Sequence, residues 1–330
     1  MMPELADLLA TSHVVRLPMT GRFRGIAARE AVLFEGPQGW TEFSPFTEYD
    51  DAESAAWLHA AIDFGWRATP PAVRERIPVN ATVPAVAAGE VPRVLSRYPG
   101  SRTAKVKVAE PGQTLADDIS RVRAVRERLG PEGRLRIDAN ALWNVDDAEH
   151  AIHALAPFDL EYVEQPCPSV EELAEIRRRT AYMGIPIAAD ESVRRADDPL
   201  AVARAGAADL LVVKAQPLGG IHSALRIVEA AGLPVVVSSA IDTSVGVAMG
   251  AHLAAAVPEL RFDCGLGTVA MFERDVAVDP LLPVDGSIPV TRPVIAPDRL
   301  AELAAPAERR EWWRNRVRRC YGQLEHALAG

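Results

Sequence analysis

Five charged residues stand at the ends of apolar, strand-like segments: Lys107, Asp138, Glu164, Asp190 and Lys214. The three acids are spaced by 26 residues each, and Lys214 follows Asp190 after 24 more. A repeat of this length matches one strand plus one helix. Because the carboxyl ends of successive strands meet at one rim of a parallel barrel, we expect the five side chains to converge there.

The three acids predict a metal site. Each one alone could equally be a helix N-cap or a partner in a loop salt bridge, but the equal spacing at equivalent strand ends favours a shared cation. Oxygen ligands without histidine or cysteine favour a hard ion, Mg²⁺ ahead of Mn²⁺. Mg²⁺ keeps coordination positions for water or substrate oxygen, so we expect a substrate carboxylate as the further partner.

The lysines predict the reaction type. Lys105 and Lys107 share one face of the strand AKVKV, so both point into a barrel. The pair could be a surface feature, and Lys214 could be a simple salt-bridge partner, but their places beside the acids favour proton abstraction next to a carboxylate. The metal and the cations would stabilise the resulting enediolate dianion. Nearby positive charge would lower the pKa of Lys107, which suits a neutral amine base.

Composition is typical of a globular enzyme with a sizeable core. Of 330 residues, 48% are hydrophobic and 25% charged, which fits two domains or a barrel with an attachment. The net charge of −9 argues against nucleic acid or an anionic membrane as partner. Cys167, Cys264 and Cys320 lie far apart, so neither a disulfide framework nor a zinc site is expected. Without a signal peptide or membrane span, we predict a cytoplasmic protein.

The N-terminal part does not follow the strand–helix repeat. HVVRL and IAAREAVLF predict two antiparallel strands joined by a polar loop over residues 18–25, and residues 40–46 continue the sheet. Apolar residues at helical spacing then predict a helix over residues 50–66. We assign residues 1–78 to an α+β capping domain.

From about Val79 the strand–helix alternation becomes regular. Eight strand segments and intervening helices predict an α/β fold, a modified (β/α)₇β TIM-like barrel over residues 79–290. The helices include residues 115–129, a helix opened by a capping box at Ser169 to Glu172, and residues 221–231 and 245–256. Residues 290–330 would pack back on the capping domain through a last helix over residues 307–328.

The pattern resembles the enolase superfamily, in its muconate-lactonizing subgroup. Lys105-Val106-Lys107 is similar to the paired-lysine motif of the second barrel strand, the three acids resemble the metal ligands of the third to fifth strands, and Lys214 resembles the lysine of the sixth. The resemblance covers nearly the whole chain. It implies a capping domain on a (β/α)₇β barrel, Mg²⁺ with Mn²⁺ as a substitute, a small-molecule carboxylate substrate and a lysine base.

Within the subgroup, RIDANALW, VEQP and SSAIDTSVG most resemble the o-succinylbenzoate synthases. That resemblance implies dehydration of 2-succinyl-6-hydroxy-2,4-cyclohexadiene-1-carboxylate in menaquinone biosynthesis, with Lys107 as the base and Lys214 as a cation over the opposite ring face. N-succinylamino acid racemase is the alternative. Asp263-Cys264-Gly265 lacks the second acid of dipeptide epimerases, and the complete set of acids and lysines argues against a non-catalytic binding barrel. Oligomeric state stays open.

The sequence gives weaker indications for the residues that bind substrate. Arg136 shares a face with Asp138, although a structural salt bridge is an equal alternative. The succinyl tail is expected near the end of the seventh strand, the turn after Lys214 and the loop over residues 18–25, which is typical of a mobile lid. The full set of candidates is Arg22, Arg24, Arg136, Asn140, Gly219, Ser238 and Ser239.

Overall fold

A three-stranded antiparallel sheet opens the chain in the computed structural model, which describes residues 2–23, 25–194 and 198–329. After helix α1 (Leu5–Ala10), strands β1 (His13–Phe23), β2 (Ile26–Gly36) and β3 (Gly39–Phe43) pair in the order β1-β2-β3. The polar loop predicted over residues 18–25 is wrong for most of its length, since β1 continues to Phe23. An irregularity in register between Pro18 and Phe23 lets the strand continue through that polar stretch.

Helix α2 (Asp51–Trp66) follows the sheet, as the apolar spacing predicts. It begins where the Asp50 side chain accepts a hydrogen bond from Glu53 N, which satisfies one of the free amides of the first turn. The buried side of the helix packs into one hydrophobic cluster with the antiparallel sheet, and Trp57 and Leu58 are fully buried there.

Parallel strands then form a curled seven-stranded sheet in the order β11-β10-β9-β8-β7-β6-β5. A separate two-stranded sheet joins β4 to β12. The strands are β4 (Arg76–Pro78), β5 (Ala81–Val83), β6 (Thr103–Lys107), β7 (Arg134–Asp138), β8 (Leu160–Glu164), β9 (Ile187–Ala189), β10 (Leu210–Val213), β11 (Val235–Val237) and β12 (Ser287–Pro289).

Helices alternate with these strands and cover the outer face of the sheet. The capping box predicted at Ser169 to Glu172 is formed at the start of α6, and a second one, between Thr114 and Asp117, opens α4. These helices are α3 (Val91–Leu95), α4 (Leu115–Leu129), α5 (Val145–Leu155), α6 (Val170–Thr180), α7 (Glu191–Arg194), α8 (Ala201–Arg204), α9 (Ile221–Ala231) and α10 (Ser244–Ala256). Two more helices, α11 (Pro297–Glu302) and α12 (Ala307–Ala329), follow the last strand.

The eighth strand segment, LRFDCG, is reduced to single parallel bridges in the described part of the chain. Cys264 pairs with Val79, next to β5, and Gly265 pairs with Ser238, next to β11. These bridges connect the two edges of the seven-stranded sheet, so the ring closes through two residues. The predicted location of the eighth strand is therefore right, and its predicted length is wrong.

Two hydrophobic clusters account for most of the buried apolar side chains. One lies between the parallel sheet and its helices and includes Val106, Ile137 and Val163. The other joins the antiparallel sheet to α2 and to Trp313 and Val317 of α12, so the C-terminal helix packs against the first part of the chain. Among the described residues, no helix combines the length and apolar character needed to span a membrane.

Candidate active site

The carboxyl ends of the parallel strands surround a pocket of about 500 Å³, which the capping sheet covers from one side. Four of the five residues singled out from the sequence spacing line it directly, and the carboxylate of the fifth, Glu164, lies buried beside them. The lining residues are Phe23, Phe46, Thr82, Lys105, Lys107, Asp138, Asn140, Asp190, Glu191, Lys214, Ser238, Ser239, Ala240, Ile241, Gly265 and Thr268.

The lysines and acids of the rim are paired with one another. Lys105 Nζ lies 2.7 Å from Glu164 Oε1 and 3.1 Å from Asp138 Oδ2, so one ammonium group bridges two carboxylates. Lys107 Nζ lies 2.5 Å from Asp138 Oδ2, and Lys214 Nζ lies 2.5 Å from Asp190 Oδ2. All six residues are at least nine-tenths buried. The strand register therefore brings together the residues that the sequence spacing predicts.

Burial and neighbouring charge shift the protonation of these groups in opposite directions. Burial lowers the pKa of Lys107, and Lys105 adds to the effect although Asp138 opposes it. Burial also disfavours the ammonium form of Lys105, but Glu164 and Asp138 outweigh it and hold its pKa well above the ordinary value. Burial together with repulsion from Asp138 raises the pKa of Glu164 to about 7. Lys107 is thus the lysine of the pair whose environment favours a neutral amine.

The three predicted metal ligands fit a divalent ion by chemistry, although no group of three or more acidic, imidazole or thiol side chains in the described ranges is already arranged to bind one. Each carboxylate is paired with a lysine ammonium group instead. Glu164 Oε2 is buried and has no hydrogen-bond partner among the described residues. An oxygen-only donor set with an unsatisfied carboxylate oxygen suits a hard cation.

Asn140 connects Lys107 to a further acid at the pocket. Its side-chain oxygen accepts a hydrogen bond from Lys107 Nζ at 2.7 Å, and its amide nitrogen donates to Glu191 Oε1 at 3.3 Å. Asn140 has a left-handed backbone, with φ of 47°, and its own N–H donates to Asp138 Oδ1. Sequence analysis missed Glu191, and its position directly after Asp190 is the signal that could have found it.

The end of β11 contributes the opposite wall. Ser238 and Ser239 line the pocket as predicted from the sequence, and Ser239 Oγ donates to Gly265 O at 3.0 Å. A Cβ built on Gly265 would lie 2.3 Å from Ser238 Oγ, so a side chain at this position requires the serine to move. Residue 265 therefore has no acidic side chain, and the space that such a side chain would need is occupied by Ser238.

Three of the predicted substrate-binding residues lie elsewhere. Arg136 is fully buried below the rim, with Nε 2.5 Å from Glu161 Oε2 and Nη1 donating to Asp263 O, which favours the structural salt bridge over substrate contact. Gly219 faces the capping domain, where its carbonyl accepts from His59 Nδ1 at 2.7 Å. Arg22 lines an adjoining cavity with Phe23 and Lys107 instead of the pocket itself. Arg24 lies outside the described residues.

The apolar part of the pocket was not predicted. Phe23 and Phe46 come from the capping sheet and its following loop, and Ile241 comes from the loop after β11. The Phe23 ring centroid lies 5.3 Å from Lys107 Nζ. Nothing in the spacing of these residues along the chain marks them, because they meet only when the capping domain packs on the barrel.

Close relatives of the chain share one name. It is 56% identical to an o-succinylbenzoate synthase of Mycolicibacterium smegmatis, over 98% of both chains. It is 56% identical to one of Mycobacterium tuberculosis, over 98% of this chain and 97% of the relative. A third, from Mycobacterium marinum, is 55% identical over 97% of this chain and 96% of the relative.

Solved structures share the fold at low identity. Muconate lactonizing enzyme from Pseudomonas putida matches with a TM-score of 0.73 at 18% identity, over 89% of this chain and 98% of that one. An N-succinyl Arg/Lys racemase from Bacillus cereus matches with the same TM-score at 21% identity, over 89% and 97%. Residues 14–65 match the enolase N-terminal domain-like family and residues 90–297 the enolase C-terminal domain-like family. The chain therefore belongs to the enolase superfamily, and within it to the o-succinylbenzoate synthase family.

Proposed function

We propose that this enzyme is a lyase that converts 2-succinyl-6-hydroxy-2,4-cyclohexadiene-1-carboxylate to o-succinylbenzoate and water in menaquinone biosynthesis. The observation that carries the proposal is the identity of 56% over 98% of the chain to relatives of that name. The pocket supports it, because three lysines and three acids meet at one rim beside an apolar wall. The proposed partner is this small carboxylate, and the proposed compartment is the cytoplasm, where the free thiols Cys167, Cys264 and Cys320 suit a reducing environment.

Membership of the superfamily implies a divalent metal ion, and we propose Mg²⁺, with Mn²⁺ as a substitute. Asp138, Glu164 and Asp190 would hold it, supported by their oxygen donors and by the unsatisfied Glu164 Oε2. When bound, the ion supplies positive charge against the negative charge that develops on the substrate carboxylate. Lys105 remains beside the ligands and keeps a positive charge there, since Glu164 and Asp138 hold its pKa high.

Lys107 is the proposed base. Its neutral amine takes the proton from the carbon next to the ring carboxylate, so the C–H bond breaks and its electron pair moves into the ring. The same ammonium then gives the proton to the departing hydroxyl group as the C–O bond breaks, which releases water and leaves the aromatic ring. Burial and Lys105 lower the pKa of Lys107, which supports the base role. Asn140 Oδ1 accepts one N–H and so orients the amine.

Lys214 is proposed as the cation on the opposite face of the ring. It lies after β10, whereas Lys107 ends β6, and three strands of the sheet separate them. A cation over a developing π system is stabilising, and more so when it is desolvated. Its pairing with Asp190 fixes the ammonium group at the pocket.

N-succinylamino acid racemase remains the second candidate activity, because lysines from two opposite strands line the same pocket. Racemisation requires a proton donor on each face, whereas syn elimination requires only one. Dipeptide epimerase is less well supported, since Gly265 offers no acid and packs against Ser238.

The test compares both activities in one preparation. We expect rapid dehydration, its loss after metal removal by a chelator, and its return with Mg²⁺ or Mn²⁺. Lys214→Arg keeps the charge but is a poor base, so it should retain measurable dehydration and lose any racemisation. Efficient racemisation of N-succinylamino acids with dehydration near background would replace the proposal by the racemase.

A further inference from the structure

Arg29 of β2 connects the capping sheet to the barrel loop that follows β11. It is 2% exposed. Its Nη2 donates to Ser44 O, in the segment after β3, and its Nε donates to Ile241 O at 3.3 Å. The guanidinium carbon lies 4.3 Å from the centroid of the Phe46 ring. One side chain therefore touches both segments that supply the apolar wall of the pocket.

Ile241 has an unusual backbone. Its φ is 62°, in the left-handed region that β-branched residues rarely adopt. The residue is 3% exposed and lines the pocket. Such a conformation persists only where the surrounding structure enforces it, and it is found preferentially at binding and catalytic sites. The carbonyl of this residue is the one that accepts the hydrogen bond from Arg29.

Two acids hold the residues on either side of Ile241. Glu42 of β3 accepts hydrogen bonds from Thr243 N at 3.1 Å, Thr243 Oγ1 at 2.5 Å and Gly246 N at 3.0 Å, all at the start of α10. Asp242 accepts from Ala240 N at 3.3 Å. The loop is thus fixed after Ile241 by Glu42 and around Ile241 by Arg29, both from the capping sheet.

We propose that Arg29 is a positioning residue for the dehydration, which holds Ile241 in its left-handed conformation so that Ile241 and Phe46 together form the wall against which the substrate ring packs. The inference rests on the proposed function. A flat, apolar ring gains affinity by packing on such a wall, and this contact is the same before and during the reaction.

Stability alone does not account for Arg29. A buried guanidinium has a high desolvation cost, and an apolar side chain of similar volume is often as stabilising at such a position. The burial lowers the pKa of Arg29, although Asp242 and Glu42 oppose the shift. An apolar residue, however, could not donate hydrogen bonds to two carbonyl groups in different domains. These two hydrogen bonds fix the wall.

The first test is Arg29→Met, which keeps the length of the side chain and removes its donors. Because the wall contacts substrate in the ground state and the transition state alike, we expect KM to rise at least about tenfold while kcat changes less than about threefold. Arg292→Met is the matched control. Arg292 also donates to a carbonyl, Phe64 O at 2.7 Å, and its guanidinium carbon lies 3.7 Å from the Phe64 ring centroid, away from the pocket lining. The control should lower Tm and leave KM unchanged.

The second test is Ile241→Gly, which is informative even if Arg29→Met fails to fold. Glycine adopts the left-handed backbone without strain, so Tm should not fall by the amount that an apolar truncation usually causes, while KM rises about tenfold. Adding Arg29→Met to Ile241→Gly should then raise KM little further, because the two act through one wall.

Several outcomes overturn the inference. It fails if Arg29→Met lowers Tm as Arg292→Met does and leaves KM unchanged, or if Ile241→Gly leaves KM unchanged. It also fails if the rise in KM of the double variant equals the product of the rises in the two single variants. Wild-type protein without dehydration would instead remove the proposed function. An active wild type with unaffected variants removes only the role of Arg29.

Discussion

Two regions of this enzyme contain buried charged side chains, and these side chains have different kinds of partner in each region. At the barrel rim, ammonium groups pair directly with carboxylates, as in Lys107–Asp138 at 2.5 Å and Lys214–Asp190 at 2.5 Å. At the domain junction, Glu42 accepts from backbone N–H and hydroxyl groups, and Arg29 donates to carbonyl oxygens. Charged partners at the rim can be exchanged for a ligand, whereas neutral backbone partners fix the junction in place. This difference in partners suits the rim to binding and reaction, and the junction to holding the two domains in position.

A glutamate in each region shows the contrast further. Burial raises the pKa of Glu164 and of Glu42 to about 7, and in each case a nearby aspartate adds to it, Asp138 at the rim and Asp242 at the junction. Glu164 still has an unsatisfied oxygen among the described contacts, whereas both oxygens of Glu42 accept hydrogen bonds. We therefore expect substitutions at the rim to change activity and substitutions at the junction to change stability and substrate fit.

The largest expected effect is the loss of a rim carboxylate. Glu164→Ala should reduce kcat/KM to near background and abolish or greatly weaken metal binding, because the two remaining acids cannot replace the missing ligand. Titration calorimetry with Mg²⁺ and a steady-state assay measure this. Asp138→Ala and Asp190→Ala should behave alike. Tight metal binding by Glu164→Ala at unchanged affinity would contradict the assignment.

Removal of the proposed base comes next. Lys107→Ala should lower turnover by about 10²–10⁴-fold, the usual range for a positioned general base, while the fold survives. Exchange of the α-proton in deuterated water provides the direct measurement. Exchange at the wild-type rate in the variant would show that another group removes the proton. Arg136→Met, at a buried arginine below the rim, would distinguish loss of the base from general disturbance of the barrel.

Crowding at the junction should affect stability instead. A Cβ at Gly246 would lie 2.6 Å from Asp242 Cβ and 2.9 Å from Glu42 Cδ, so Gly246→Ala should destabilise the protein by about 1–3 kcal/mol. Gly322→Ala is the matched control, since residue 322 is also helical and its Cβ would meet nothing within 4 Å. That change should be neutral or stabilising by up to about 1 kcal/mol. Equal Tm values for the two variants would refute the packing argument.

The expected effect with the smallest consequence for activity is a change in the pH dependence of stability. Because the folded pKa of Glu42 is about 7, above the ordinary 4.5, the folded state binds the proton more tightly than the unfolded chain. Its contribution to stability, about 3 kcal/mol, is fully present below about pH 4.5 and is lost as the pH rises through 7. Glu42→Gln should remove this loss, so denaturation at pH 5 and pH 8 should differ less in the variant. An unchanged difference would mean that Glu42 does not titrate as described.

Much of the fold and of the rim could be predicted from the sequence. The helices at residues 115–129 and 221–231 follow from apolar spacing and end signals, which are local properties of the chain. Lys105, Lys107, Asp138, Asp190 and Lys214 could be placed together because a regular strand–helix repeat fixes which strand ends become neighbours. By contrast, the length of β1 and the reduction of the eighth strand to bridges depend on pairing with distant segments.

What the sequence alone determined is the repeated unit and the chemistry carried at its ends, since both depend on residues close together in the chain. Only the tertiary structure decided which capping residues complete the pocket. Phe23, Phe46 and Ile241 are far apart in sequence, and the carbonyl of the left-handed Ile241 accepts a hydrogen bond from Arg29, 212 residues away. Arg136 shows the same limit: its position in the strand was predictable, but its partner Glu161 was not. The physical reason is that side-chain partners across a domain junction are chosen by packing, which no local pattern encodes.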